Sequence, residues 1–249
     1  LYWKNTRCVG DEVYLVHVEG REFILIEKMM RESWESAKIG QGRDGSGMTH
    51  DSFIILNVLR VENSMLWRKY SSLRFEIPSV QSSEDLLDIS TDSEFSTHFG
   101  LDWSKNEKML FHGAPGGFGD TNDVVEIITR SGFDERVSRR GMFGSGIYFA
   151  SKSSKADCYS GRYQDSSIGE RGKMMLSRVV MGNFHTTSTS CTDLRRPPCV
   201  KGHPKPCHHE RCHSVYFDGT RKNYEEFIVY DRNQCYPEYV IEYERTKTG

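Results

Sequence analysis

Gly141-Met142-Phe143-Gly144-Ser145-Gly146-Ile147-Tyr148-Phe149-Ala150 is the stretch on which the reading of this chain turns. A glycine-rich turn runs directly into a short β-prone run, so Ile147–Ala150 reads as a strand. Ser151 then reads as the cap of a helix running towards Tyr159. Just upstream, Met109-Leu110-Phe111 is a short apolar strand ending at His112-Gly113. Asn122 or Asp123 caps a helix through Val125 and Ile128 that Gly132 closes. Downstream, Lys173–Met181, Phe227–Tyr230 and Tyr239–Tyr243 read as further strands. Towards the start, Val13–Val18 reads as a strand, and Phe23, Ile26, Met30 and Trp34 keep helical spacing from Glu22 to about Trp34. Gly40–Gly47 is a loop, and Phe53–Val61 is a central strand. Asn63 caps a helix whose one face is Leu66, Trp67, Tyr70 and Leu73. Between Pro78 and Gly100, Ser, Asp, Glu and Thr dominate, which predicts a solvated insertion with one short helix. Short strands outweigh helices in the second half, and no GxGxxG follows a strand. A doubly wound dinucleotide fold is therefore disfavoured, and the pattern predicts an α+β chain.

The chain has 249 residues, enough for one large domain or two small ones with a real core. Lys and Arg number 33 and Asp and Glu 35, a net charge of −2. That balance argues against direct nucleic-acid binding by phosphate neutralisation. Mean hydropathy is −0.60 and no apolar run approaches bilayer length, so no membrane span is expected. The 7 cysteines are odd in number and the chain is too long to need stapling, which points to a reducing compartment, cytoplasmic or nuclear. A chain opening on Leu1 reads as a segment of a longer protein.

Three local patterns carry chemistry: Leu110-Phe111-His112-Gly113, the glycine-rich stretch through Ala150, and Tyr224-Glu225-Glu226-Phe227-Ile228-Val229-Tyr230. Singly, a histidine at a strand end reads as structural, a tyrosine in a β run as packing, and a glutamate opening a strand as solvated. Together they resemble the catalytic domain of the poly(ADP-ribose) polymerase family, the diphtheria-toxin-like ADP-ribosyltransferases. The resemblance runs from roughly Glu22 to Tyr243. Within the family the pieces GRDGSG, VENSMLWRKY, MLFHG, SGFDER, GMFGSGIYFASKSSK and YPEYVIEY look most like the tankyrase branch.

The resemblance implies two small, mostly antiparallel sheets with peripheral helices, and NAD in the cleft between them. It divides the chain into an N-terminal extension, residues 1–21, and a catalytic domain, 22–249. It implies transfer of ADP-ribose from NAD to protein acceptors with release of nicotinamide. His112, Tyr148 and Glu226 match the family's catalytic His, Tyr and Glu. Gly113 would hold the nicotinamide carboxamide through its backbone, His112 a ribose hydroxyl, and Tyr148 and Tyr159 would bracket the nicotinamide ring. Glu226 would stabilise the cationic centre and position the attacking hydroxyl. In the family, that glutamate favours chain elongation. Glu225 is its rival; Glu226 is preferred because the family's glutamate directly precedes the aromatic-Ile-Val-Tyr strand. Arg136, Arg139 and Arg140 lie in the family's donor loop, where at least one, with Arg136 foremost, would face the pyrophosphate.

Two departures stand out. Where the family carries a serine that bonds the carboxamide, this chain has Ala156, a loss of about 0.5–1.5 kcal/mol. That leaves open a catalytically weak NAD-binding or interaction module, beside a mono-ADP-ribosyltransferase. The tankyrase zinc loop corresponds to Ser160–Lys173, which has no Cys or His. Instead Cys199-x3-His203-x3-Cys207-x4-Cys212 offers four ligands for a structural zinc. His208 or His209 could replace His203, and an incidental polar loop is the competing reading.

Overall fold

The structure, a computed structural model, describes residues 3, 12–80, 86–87, 93–115, 123–138, 141–160, 168–219 and 224–248. Cys8, Asn122, Arg139 and Arg140 lie outside them. Among the described residues nine strands form two sheets: β1 (Val13–His17), β2 (Ser52–Asn63), β3 (Glu107–Gly113), β4 (Ile147–Phe149), β5 (Arg171–Val180), β6 (Phe184–Thr187), β7 (Ser214–Phe217), β8 (Glu226–Val229) and β9 (Cys235–Thr246). The larger sheet has the order β1-β2-β9-β5-β3 and the smaller β4-β8-β7-β6. Every pair is antiparallel except β6 and β7. Helices α1 (Gly20–Glu32), α2 (Ser64–Glu76), α3 (Ser93–Phe99), α4 (Val124–Ser131) and α5 (Ser153–Asp157) lie around them. This is the α+β arrangement expected, two mostly antiparallel sheets with helices around them. Among the described residues no helix is long and apolar enough to cross a membrane.

Strand alternation sorts the core. Successive side chains point to opposite faces, so Phe111 joins Ile26, Met30 and Phe53 beneath α1, while Leu110 joins Ile147, Phe149, Phe227 and Val229 between the sheets. Ile228 and Tyr230 turn the other way, onto Phe143, Leu194 and Phe217. β1 pairs with β2 along its whole length, so residues 13–17 are the edge strand of the larger sheet, and a boundary at residue 21 falls inside α1. The segment from Pro78 is more than a solvated insertion. In α3, Phe95 and Phe99 stand one turn apart, are each 3% exposed, and pack towards Tyr239. Two aromatics at i,i+4 suffice to anchor an otherwise polar stretch.

The caps follow the sequence in two places and depart from it in one. Asp123 accepts from the Val125 N–H, and Gly132 ends α4 at φ 81°. Ser151 does not cap α5; its hydroxyl is committed to the Glu225 carboxylate, and Lys152 precedes the helix without a side-chain cap. Asn63 is 1% exposed and does three jobs. Its Oδ1 accepts from Leu66 N at 3.1 Å, and its Nδ2 donates to Thr129 O and Arg130 O, tying α2 to the end of α4. Asn63→Ala removes the cap and leaves two carbonyls short of a donor. The expected loss is about 2–3 kcal/mol in urea unfolding; an unchanged midpoint would show that the tie carries no stability.

Candidate active site

Among the described residues the two sheets meet at one backbone seam. Phe111 N donates to Ala150 O at 2.8 Å and Ala150 N to Phe111 O at 2.9 Å, a lone bridge between the ends of β3 and β4. One residue on, His112 Nδ1 donates to Tyr148 O at 2.8 Å. A carbonyl only accepts, so the neutral ring carries its proton on Nδ1 and leaves Nε2 as an acceptor. Burial, between Phe133 and Phe149, lowers the imidazole pKa despite the carbonyl's opposing pull.

The glycines of the opening stretch are dictated by what they touch. A Cβ on Gly141 would stand 2.5 Å from the Tyr148 hydroxyl, and one on Gly144 would meet Leu194 O at 1.8 Å. Tyr148 lies against this turn. Its hydroxyl accepts from Phe143 N and donates to Gly144 O, each at 2.9 Å, which leaves ring and edge as the parts that can meet a ligand. Burial raises its pKa, with Glu226 adding to the effect.

Helix α5 is buried although its sequence, SSKAD, is polar. Each polar group has a partner. Ser153 donates to Met30 O at 2.7 Å and Ser154 accepts from Glu35 N at 3.2 Å. Asp157 is held by Tyr243, by Arg245 Nε at 2.9 Å and by His50 Nε2 at 2.7 Å. Ala156 is 3% exposed and its side chain joins the core beneath α1. Ser154, a hydroxyl that could stand in for the family's serine, is fully buried and already accepts from Glu35 N.

Lys155 is the hub. Its Nζ lies 2.6 Å from Asp44 Oδ2, 3.1 Å from Glu226 Oε1, and 3.4 Å from the Tyr159 hydroxyl. Burial alone would lower its pKa, but the Glu226, Tyr159 and Asp44 groups outweigh it and hold the ammonium charged. Burial likewise would raise Asp44, and Lys155 more than reverses it. Glu225 and Glu226 part company as neighbours in a strand must. Glu225 is taken by Ser151 and by Tyr216 Oη at 2.7 Å, on the other side from the Lys155 cluster. Nothing in the sequence singles out Lys155 or Asp44, each of which reads as one charge in a polar segment.

Arg136 is tied up elsewhere. Its side chain is 72% exposed and grips Asp134, with Nη2 2.7 Å from Oδ2, while Arg232 reaches the same carboxylate. The Arg136 hydrogen bonds hold the Asp134 carboxyl well below the usual range. In the β6–β7 connection the four-ligand set needs one correction. Cys199, His203, Cys207 and His209 place ligand atoms within 4.8 Å of one another, and Cys212 is not among them. Cys199 forms an isolated backbone bridge with Arg211, and Cys212 N donates to Pro198 O at 3.0 Å.

A family model of the poly(ADP-ribose) polymerase catalytic domain matches residues 43–245. The mouse (Mus musculus) protein mono-ADP-ribosyltransferase PARP12 is 26% identical over 193 residues, 77% of this chain and 22% of its own length. The mouse protein mono-ADP-ribosyltransferase PARP11 is 26% identical over 214 residues, 79% of this chain and 54% of that protein. A probable poly [ADP-ribose] polymerase of Dictyostelium discoideum is 24% identical over 248 residues, 97% of this chain and 59% of its own length. The chain thus spans from about a fifth to three-fifths of the curated relatives it matches.

Gly113 is a glycine for a reason the sequence does not show. An added Cβ would stand 1.9 Å from the Ala156 carbonyl oxygen, so the strand end lies flat on α5. Gly113→Ala should therefore cost about 2–3 kcal/mol and lower Tm by roughly 5–10 °C, before any ligand is added. A variant with unchanged Tm would show that the glycine serves a ligand alone.

Proposed function

This chain belongs to the poly(ADP-ribose) polymerase family by its catalytic domain, and on that premise we propose that it cleaves the nicotinamide–ribose bond of NAD and transfers ADP-ribose to protein side chains. The observation that carries the reading is the convergence at the sheet junction of an acceptor nitrogen on His112, the Tyr148 and Tyr159 rings, and the Glu226 carboxylate fixed by Lys155. Nicotinamide leaves from NAD as a neutral molecule because its ring nitrogen is already cationic. No strong general acid is needed, and the demand falls on orientation and on negative charge beside an oxocarbenium-like centre.

Each group then has a task. His112 Nε2 accepts from a hydroxyl of the adenosine ribose. The Gly113 backbone pairs with the carboxamide. Tyr148 and Tyr159 sandwich the nicotinamide ring, with about 1 kcal/mol beyond area for such stacking. Glu226 stabilises the developing cation and orients the acceptor hydroxyl; Lys155 and, through it, Asp44 fix where that carboxylate points. Arg136 serves the pyrophosphate only by leaving Asp134. Ala156 removes one hydrogen bond from the carboxamide and weakens NAD binding by up to about tenfold.

A glutamate at position 226 favours elongation into polymer. The names of the PARP11 and PARP12 relatives favour single-unit transfer as the second reading. The relatives reported above give the tankyrase branch no support.

Automodification with labelled NAD separates the readings. A smear on a gel marks polymer, a discrete band single transfer, and absence of label a binding module. Glu226→Gln should keep NAD binding within about threefold and abolish the smear; long polymers from that variant would remove Glu226 from the proposal.

Acidification gives a second test. His112 is depressed below the ordinary value of about 6.5. NAD affinity should be level from pH 8 to below about 6.5 and fall only as the pH passes the depressed value of the folded imidazole, where Nε2 becomes a donor. Folding stability should decline first, from about pH 6.5 down to that depressed value, because the unfolded chain takes up the proton before the folded one does. Affinity that holds or rises to pH 5 contradicts the acceptor role.

A further inference from the structure

We propose that Cys199, His203, Cys207 and His209 bind one zinc ion, which orders the β6–β7 connection and braces the glycine turn that carries Tyr148. Two thiolates and two imidazoles are a donor set suited to tetrahedral zinc. The ligand atoms already lie within 4.8 Å of one another. A tetrahedral site with Zn–S of about 2.3 Å and Zn–N of about 2.0–2.1 Å has edges of roughly 3.3–3.8 Å, so closure by about 1 Å completes it.

Independent features point the same way. His209 Nδ1 is buried and has no hydrogen-bond partner among the described residues. The His203 N–H donates to Cys199 Sγ at 3.4 Å, and Cys199 N donates back to His203 O at 3.1 Å, so a tight backbone turn presents both side chains together. Residues 200–210 bury almost no side chain. A stretch with so little apolar burial needs another source of order. Nothing in the reaction proposed above uses a metal, and the site stands on the opposite sheet edge from β4, so its role is structural.

The coupling to Tyr148 runs through the first half of the connection. Cys191 N donates to Met142 O and Leu194 O accepts from Ser145 N, both at 2.8 Å, while Leu194 packs on Phe143. Cys199 follows within five residues, and Arg211 Nη1 donates to Pro197 O at 2.7 Å. Ordering the far half of the connection fixes the half that presses on Gly144. Binding releases the two thiol protons to solvent, so affinity falls as the medium is acidified.

The test is metal analysis of the full chain, purified without a metal-affinity column, stripped with chelator and reloaded with zinc under reducing conditions. About one equivalent is expected, lost below a tenth of an equivalent in Cys207→Ser and in His209→Ala but kept in His208→Ala. Cys207 and His208 are exposed, so neither change disturbs packing; circular dichroism confirms the fold of each. Cobalt substitution should give the d–d bands of a tetrahedral site. Chelation should lower Tm in the wild type and leave it unchanged in Cys207→Ser. Zinc below a tenth of an equivalent in the reloaded wild type, retention in the Cys207→Ser/His209→Ala pair, or two thiols missing from the 7 on denaturation in chelator, which would mean a disulfide, overturns the proposal.

Discussion

Two backbone hydrogen bonds between Phe111 and Ala150 hold the functional geometry of this molecule together. They join the end of one sheet to the start of the other, and the His112–Tyr148 contact follows one residue away. The larger sheet brings the imidazole, the smaller brings the phenol ring on β4 and the carboxylate on β8, and α5, packed against Gly113, supplies the cation between them. His112, Tyr148 and Glu226 stand on three strands far apart in sequence, and Lys155 alone follows closely on Tyr148. What aligns them is the strand register, because β4 pairs with β8 so that Tyr148 faces Ile228 and Phe149 faces Phe227. A slip of one residue would turn every side chain to the wrong face.

That dependence explains why α5 is so heavily tied down. A five-residue helix has little intrinsic stability, yet it carries Lys155 and lies under Gly113. Its Asp157 is gripped by side chains from the last strand and from the loop before β2, and its Ser153 reaches α1. Buried polar networks of this kind hold one arrangement because any alternative strands a charge or a donor. The helix thus takes its position from the rest of the fold and passes it on to the charge cluster.

Much of this was legible in the residues. The strand around Phe53, the Asn63 cap, the Gly132 stop and the three patterns bearing His112, Tyr148 and Glu226 all announce themselves by spacing and residue type. The illegible parts share a cause: they depend on what a distant segment places beside them. Gly113 looks like a ligand-facing glycine until the Ala156 carbonyl is seen against it. Lys155 and Asp44 are 111 residues apart and each looks solvated. The Pro78–Gly100 stretch looks polar because serine and aspartate outnumber the two phenylalanines that anchor it. Cys212 looks like a ligand by spacing, but the ligand atoms that converge are those of Cys199, His203, Cys207 and His209.

The parallel pairing of β6 and β7 sets the character of the connection between them. Antiparallel neighbours can be joined by a tight hairpin, whereas parallel ones oblige the chain to travel back along the sheet before it re-enters. Closing such an excursion costs only about 0.6 kcal/mol more for each doubling of its length. This is accordingly the edge of the domain where a lineage can add residues most freely without unsettling the scaffold. Variation among descendants should gather there, as paint thickens on the sill and not on the hinge.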